Sequence, residues 1–249
     1  MQRIADTLVS LRRVFIPWGG GRSERHRPEG GMLREVVFGA NDGLVSNVAL
    51  VAGMAGATSN NELVLLAGLA GLVAGAISMA LGAYVSTKSE REFREAEERR
   101  ERYEVEHMRD QELAETRQIF RLKGITGPLL DEVVTAVSRD HEQWIQLMMR
   151  EELGFAGEAP KPGFSAVIMG LAFAFAAAFP VLPFAFAGGM AGLGVSVGLT
   201  AFALFGIGAW RAALTGARVL PKAFEMVALA GLAVAASYGI GRLVGVGLG

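Results

Sequence analysis

The chain has 249 residues, 51% of them apolar and 20% charged, with 33 glycines, a mean hydropathy of +0.36 and a net charge of −1. Grease and charge in those proportions must occupy different stretches, as in an integral membrane protein with one charged segment outside the bilayer. The lack of cysteine excludes a disulfide scaffold and thiolate zinc or iron–sulfur sites, and the near-zero net charge gives no reason to expect nucleic acid.

At the N-terminus, Ile4, Leu8, Leu11 and Phe15 recur at helical spacing beside Arg3, Arg12 and Arg13. This pattern predicts an interfacial helix on the inner leaflet. Arg12 and Arg13 interrupt any apolar run too early for a signal peptide. A flexible basic linker, Gly19–Gly31, follows, so residues 1–31 are set apart as one segment.

Five stretches then reach the roughly 20 apolar residues that a bilayer core requires: Val36–Ala57, Leu63–Tyr84, Phe164–Phe186, Gly188–Trp210 and Phe224–Leu248. Apolar residues fill every face of them, which predicts helices rather than strands. The fold class expected is an all-α membrane protein of five transmembrane helices with a cytoplasmic helical insert between spans two and three. Its segments are 32–86 (spans one and two), 87–163 (the insert) and 164–249 (spans three to five). Small-residue pairs recur in the spans (Gly71/Gly75, Gly188/Gly192, Gly194/Gly198, Gly241/Gly245), at a spacing that lets helices approach closely in lipid. Most such pairs serve packing within one chain; the rest are available to a dimer interface.

Seven arginines precede span one, and Arg211, Arg218 and Lys222 lie between spans four and five, whereas the opposite loops carry no Lys or Arg apart from Arg242. The positive-inside rule therefore places the N-terminus and the insert in the cytoplasm and the C-terminus outside.

The insert holds 18 of the 25 acidic residues. Span two is expected to run on into it as a helix through His107, since Lys88–Arg109 contains no Gly or Pro. Further helices are expected over Glu112–Leu122 (closed by Gly124), Leu129–Val137 and Arg139–Leu153 (closed by Gly154). Glu101/Glu104 and Glu112/Glu115 each have i,i+3 spacing, which sets two carboxylates side by side on a helix. A turn near His107–Asp110 would fold the second pair against the first and make an oxygen cage for a divalent cation. A solvated face neutralised by Arg99, Arg100 and Arg102 is the competing reading. Met148-Met149 near the insert's end are either core filler or soft thioether donors, which favour transition metals. Glu104-Val105-Glu106-His107 matches the Glu-x-x-His of di-iron bundles, but His141 has Ser138 where a second motif needs a carboxylate.

Within span one, Asp42 lies about 10 Å deep, and an intramembrane carboxylate points to function. Met79 on span two falls at a similar depth. One hard and one soft donor at that level, doubled by a two-fold axis, would make a waist for a borderline metal.

Arg34-Glu35-Val36-Val37-Phe38-Gly39-Ala40-Asn41-Asp42-Gly43-Leu44 and Ala74-Gly75-Ala76-Ile77-Ser78-Met79-Ala80-Leu81-Gly82-Ala83-Tyr84 resemble the first two spans of the vacuolar iron transporter family. Tyr84-Val85-Ser86-Thr87-Lys88-Ser89-Glu90 and Met148-Met149-Arg150-Glu151-Glu152-Leu153-Gly154 are similar to it as well. The resemblance covers about 33–249. It implies a homodimer that exports ferrous iron from the cytosol in exchange for protons. It further implies a metal-gathering set at Glu101, Glu104, Glu112, Glu115, Glu152, Met148 and Met149, and a translocation path through Asp42 and Met79. Some relatives carry a further carboxylate in span two; here that stretch reads Ala70-Gly71-Leu72, so Asp42 is left to serve both ion and proton.

The expected function is thus that of a transporter and not an enzyme, with no catalytic residues. Its expected partners are the lipid bilayer, a second copy of the chain, divalent metal ions and protons. No tightly bound cofactor is expected; Fe(II) is the transported ion, with Mn(II), Zn(II) or Co(II) as surrogates. A manganese exporter, or a membrane-anchored metal sensor or store, is the alternative. An ATP-driven pump is disfavoured by the lack of a phosphate-binding Gly-rich loop. The compact loops point to a bacterial plasma membrane.

Overall fold

The computed structural model describes residues 30–248, apart from 156 and 158. The expected interfacial helix and most of the basic linker lie outside the described residues. Helices α1 (Gly30–Ala57), α2 (Asn61–His107), α3 (Arg109–Leu122), α4 (Pro128–Val137), α5 (His141–Glu151), α6 (Pro162–Val181), α7 (Gly189–Thr215) and α8 (Val219–Leu248) follow one another, with a 3-10 turn over Leu182–Ala185. No strand occurs among the described residues. Five of the helices are long and apolar enough to cross a membrane, and they coincide with the five expected spans.

Helix α1 is surrounded by the other spans, and glycine makes that possible. A methyl group at Gly39 would lie 2.7 Å from the Met169 carbonyl oxygen, and one at Gly43 would lie 2.5 Å from that of Phe173, so α6 rests directly on the α1 backbone. At the far end of α1 a Cβ on Gly241 would come 1.9 Å from the Gly53 carbonyl oxygen, and one on Gly245 2.4 Å from that of Ala57. Such direct backbone contact is how membrane helices gain packing in the absence of a hydrophobic driving force. Gly194 and Gly198 face open space instead. Around these contacts lie two buried clusters. Val51, Ala52, Val64, Val181, Phe184 and Leu193 form one, and Leu44, Ala176, Leu204 and Ala230 the other.

Buried polar groups tie the spans together. The Asn47 amide on α1 donates to the Gly68 carbonyl of α2 (3.3 Å) and to the Ala177 carbonyl of α6 (3.0 Å). Pro180 lies within the last turn of α6, and its carbonyl accepts from the Ser196 hydroxyl of α7 at 2.7 Å. Asn61 donates to the Phe184 carbonyl, joining the α1–α2 turn to the 3-10 turn. That end therefore holds the 58–60 turn, the 182–188 segment and the last turns of α8. The start of α1 lies at the other end with the α7–α8 turn, because Asn41 and Val45 line one cleft with Arg211, Lys222 and Met226.

Helix α2 is one unbroken element of 47 residues, about 70 Å long. Asn60 starts it by accepting hydrogen bonds from the Glu62 and Leu63 amides, and the run of helix formers after Gly82 carries it out of the apolar region. The chain reverses at Met108, where φ is −122° and ψ 35°. Beyond it, α3, α4 and α5 pack with the end of α2 over Val105, Phe120, Leu130, Val133, Val134, Val137, Trp144, Ile145 and Met148, all buried. Gly124 (φ +86°) and Gly154 (φ +73°) close α3 and α5 in the left-handed conformation that a Cβ disfavours. Asp140 caps α5 by accepting from the Glu142 and Gln143 amides, which is why that helix begins at His141 rather than Arg139. Helix α3 in turn begins at Arg109, three residues before the expected start, because the reversal takes a single residue.

Candidate metal centre and membrane path

The Met108 reversal lays α3 back along α2 and buries Glu101 and Glu112 together, at 4% and 3% exposure. One carboxylate oxygen of each, Glu101 Oε1 and Glu112 Oε2, has no hydrogen-bond partner. Loss of hydration and the neighbouring carboxylates, Glu112 foremost, push the Glu101 pKa up to about 8. Burial likewise raises Glu112, as do Glu115, Glu104 and Glu152, while its contact with Glu101 acts the other way. Both carboxyl groups therefore favour the protonated form more than a free glutamate does.

The other expected donors lie around this pair. Glu104 is partly exposed and ion-paired to Arg100 at 3.1 Å. Glu115 and Glu152 are exposed. The Glu152 pKa is raised by desolvation and by Glu115, Glu104 and Glu97, with Arg100 opposing. Five expected glutamates thus share one electrostatic field, and Glu97, which the spacing argument passed over, belongs to the same field. Among the described residues no three carboxylate or imidazole groups converge as a ready ligand set. The expected convergence is therefore seen only between Glu101 and Glu112, with the remaining carboxylates around them.

The neutralised-face reading is met only in part. Arg100 reaches the cluster, whereas Arg102 pairs with Glu142 and, at 3.7 Å, with Glu98. His107 stacks on Tyr103 (ring centroids 4.2 Å apart), and its Nδ1 lies 3.0 Å from the Tyr103 carbonyl oxygen, so the histidine of the lone Glu-x-x-His match is engaged with Tyr103.

The two methionines diverge. Met148 is fully buried, its sulfur 3.5 Å from the Thr116 hydroxyl. Met149, one residue and about 100° further round the helix, lines a separate cleft of about 380 Å³ with Arg94, Glu98, Glu142, Arg150 and Phe155. Thr116, one turn along α3 from Glu112, and Trp144, neither of them predicted, are bonded to each other: the Trp144 indole N–H donates to Thr116 Oγ1 at 2.8 Å.

In the spans, Gly43 and Gly75 both abut Phe173, which brings α1 and α2 to one level. Asp42 is the residue next to Gly43, and Met79 is one turn, about 6 Å, from Gly75. Both side chains are half-buried, and no described residue gives the Asp42 carboxylate a hydrogen bond or an ion pair. Asp42 is bonded only through its backbone, the Ser46 hydroxyl donating to its carbonyl at 2.6 Å. Gly71, the span-two position without a carboxylate, lies against Asn47 and Leu50.

Five membrane-length helices, four of them grouped around α1, with a carboxylate inside the first that no described residue pairs and an acidic helical insert beyond the second, define an integral multi-pass membrane protein. The profile of the VIT family matches residues 33–242, and the chain belongs to that family. It is 37% identical over 223 residues to vacuolar iron transporter 1 of Oryza sativa subsp. japonica (89% of this chain, 88% of the relative). It is 35% identical over 224 residues to vacuolar iron transporter 1 of Arabidopsis thaliana (89% and 90%). It is 34% identical over 240 residues to the vacuolar iron transporter of Toxoplasma gondii (90% and 78%).

Proposed function

We propose that this chain exports Fe(II) from the cytosol in exchange for protons, as a homodimer, with the insert gathering the ion. The observation that carries the reading is the buried Glu101–Glu112 pair. Two carboxylates leave water at some cost and keep an oxygen each without a donor, an arrangement that a divalent cation relieves. The names of the relatives point to iron as the cargo.

In this mechanism the cation displaces the proton held by Glu101 and Glu112 and is ligated there, with Glu104, Glu115 and Glu152 closing from the rim and Met148 supplying a softer donor. It then passes to Asp42 and Met79. The half-buried Asp42 carboxylate, without a partner among the described residues, is suited to bind a cation at one moment and a proton at the next. A second copy of the chain would enclose that level. The outward apolar stripe of α2 (Leu66, Val73, Ile77, Leu81) and the open Gly194/Gly198 face are the surfaces available for it. The arginine distribution supports a cytoplasmic insert and an external C-terminus, and the compact loops favour a bacterial plasma membrane. Mn(II) is carried by the same oxygen donors and is the alternative cargo.

Fe(II) accumulation by proteoliposomes tests the reading. Wild type is expected to fill the vesicles, Asp42→Asn to stop, and Glu101→Ala/Glu104→Ala to slow at low metal concentration. Binding of metal without flux of iron or manganese would instead make the protein a membrane-anchored sensor or store.

A further inference from the structure

The Thr116 hydroxyl is fully buried on α3, one turn after Glu112, and its bonds link three groups. It accepts the Trp144 indole N–H (2.8 Å), lies 2.7 Å from the Glu112 carbonyl oxygen and 3.5 Å from Met148 Sδ. The shorter contact takes its single proton: Thr116 donates back to the Glu112 carbonyl, a common habit of threonine inside a helix. With that proton placed and one lone pair engaged by Trp144, the oxygen cannot rotate, and it fixes the wall against which the Met148 sulfur rests. Trp144 is held in turn, fully buried, with the Arg109 guanidinium 5.1 Å from its ring centre and Arg109 also donating to the Ser138 carbonyl (3.1 Å). Methionine has three soft side-chain torsions, so a thioether serves as a ligand only if something else holds its sulfur.

We propose that Thr116, locked by Trp144, is a positioning residue that holds the Met148 thioether for a metal ion and so sets the preference of the insert for soft over hard divalent cations. This rests on the reading of the insert as the metal-gathering site. Thr116 does not touch the ion; it acts through the sulfur. Valine at 116 keeps the shape but loses the bond from Trp144 and sets a methyl group where the oxygen faces the sulfur, whereas serine keeps the oxygen for both.

The test is a set of full-length variants in detergent, titrated with Cd(II) as the soft probe and Mn(II) as the hard one. Met148→Leu is expected to weaken Cd(II) about tenfold and leave Mn(II) within about twofold, the contrast that donor softness predicts. Thr116→Val should weaken Cd(II) three- to tenfold with Mn(II) again unmoved, Thr116→Ser should restore wild-type binding, and Trp144→Phe should shift Cd(II) in the same direction. In the Met148→Leu background, Thr116→Val should add nothing. Equal losses for both ions, or losses that add in the double variant, would overturn the assignment while leaving the metal site intact. Wild-type protein that binds neither ion would overturn the metal-gathering reading itself. Thr116→Ser and Trp144→Phe keep the test decisive should valine at 116 prevent folding.

Discussion

Glu101 on α2 and Glu112 on α3 are buried against each other across the single-residue reversal at Met108, each with one carboxylate oxygen that no donor satisfies. A protein interior does not keep such a pair for stability, because two nearby carboxylates repel and both lose hydration. The pair costs the fold stability, which fits the metal-gathering role proposed for it, and its titration can be measured.

The folded pKa of Glu101, about 8, lies above its ordinary value of 4.5. Between those values the folded state holds a proton that the unfolded chain has released, so stability is greatest at low pH and declines as pH rises, by up to about 1.4 kcal/mol per pH unit for one proton. The thermal midpoint of the metal-free protein in detergent should fall between pH 5 and pH 8.5, and Glu101→Gln should remove most of the slope. A flat wild-type profile would contradict this.

On the proposed metal-gathering role, binding of a cation expels the same proton. Apparent affinity for Mn(II) should therefore rise with pH from 6 to 8, up to about tenfold per unit if one proton leaves. Calorimetry in two buffers of different ionisation enthalpy should count about one proton released. In Glu101→Gln, affinity should be lower and its pH dependence shallow.

Asn47 donates to both α2 and α6 from the centre of the bundle. Asn47→Leu would leave the Gly68 and Ala177 carbonyls without that donor and should cost about 1–3 kcal/mol, read as a lower midpoint in detergent. Ser46→Ala, by contrast, removes only a bond to its own helix and should stay within about 0.5 kcal/mol of wild type.

Two alanine substitutions separate the glycines that pack within the chain from those that do not. Gly241→Ala would drive a methyl into the Gly53 carbonyl and push α8 off α1, whereas Gly194→Ala meets nothing within 4 Å. The first should lower the midpoint by several degrees, and the second should leave it unchanged. A shift in oligomer size on the Gly194→Ala substitution alone would place that face in a contact between copies.

The spans were legible because hydropathy and length are one-dimensional signals, and so was the run of α2 into the insert, which needs only helix formers and no glycine or proline after Gly82. The reversal near His107–Asp110 followed from the need to fold one glutamate pair against the other. Which glutamates would be buried was not legible. Glu101 and Glu112 are enclosed by tertiary packing of α2 and α3, and i,i+3 spacing places Glu104 and Glu115 on the rim with equal ease. Thr116 and Trp144 carry no motif; their role exists only once α3 and α5 meet. Asn47 was visible as a polar residue in a span, but its two acceptors are backbone carbonyls on other helices, which no sequence pattern marks. Span five begins at Val219, earlier than hydropathy suggests, because Lys222 and Glu225 pair with each other within the first turns of α8 (2.7 Å).

The most direct measurement is Fe(II) flux into proteoliposomes with a pH dye trapped inside, recorded in the same vesicles for wild type and Asp42→Asn. The account predicts that metal entry is accompanied by proton exit, that an inward-acid gradient speeds it, and that Asp42→Asn abolishes both signals together. Metal flux that leaves internal pH unchanged, or that persists with its pH dependence intact in Asp42→Asn, would contradict it.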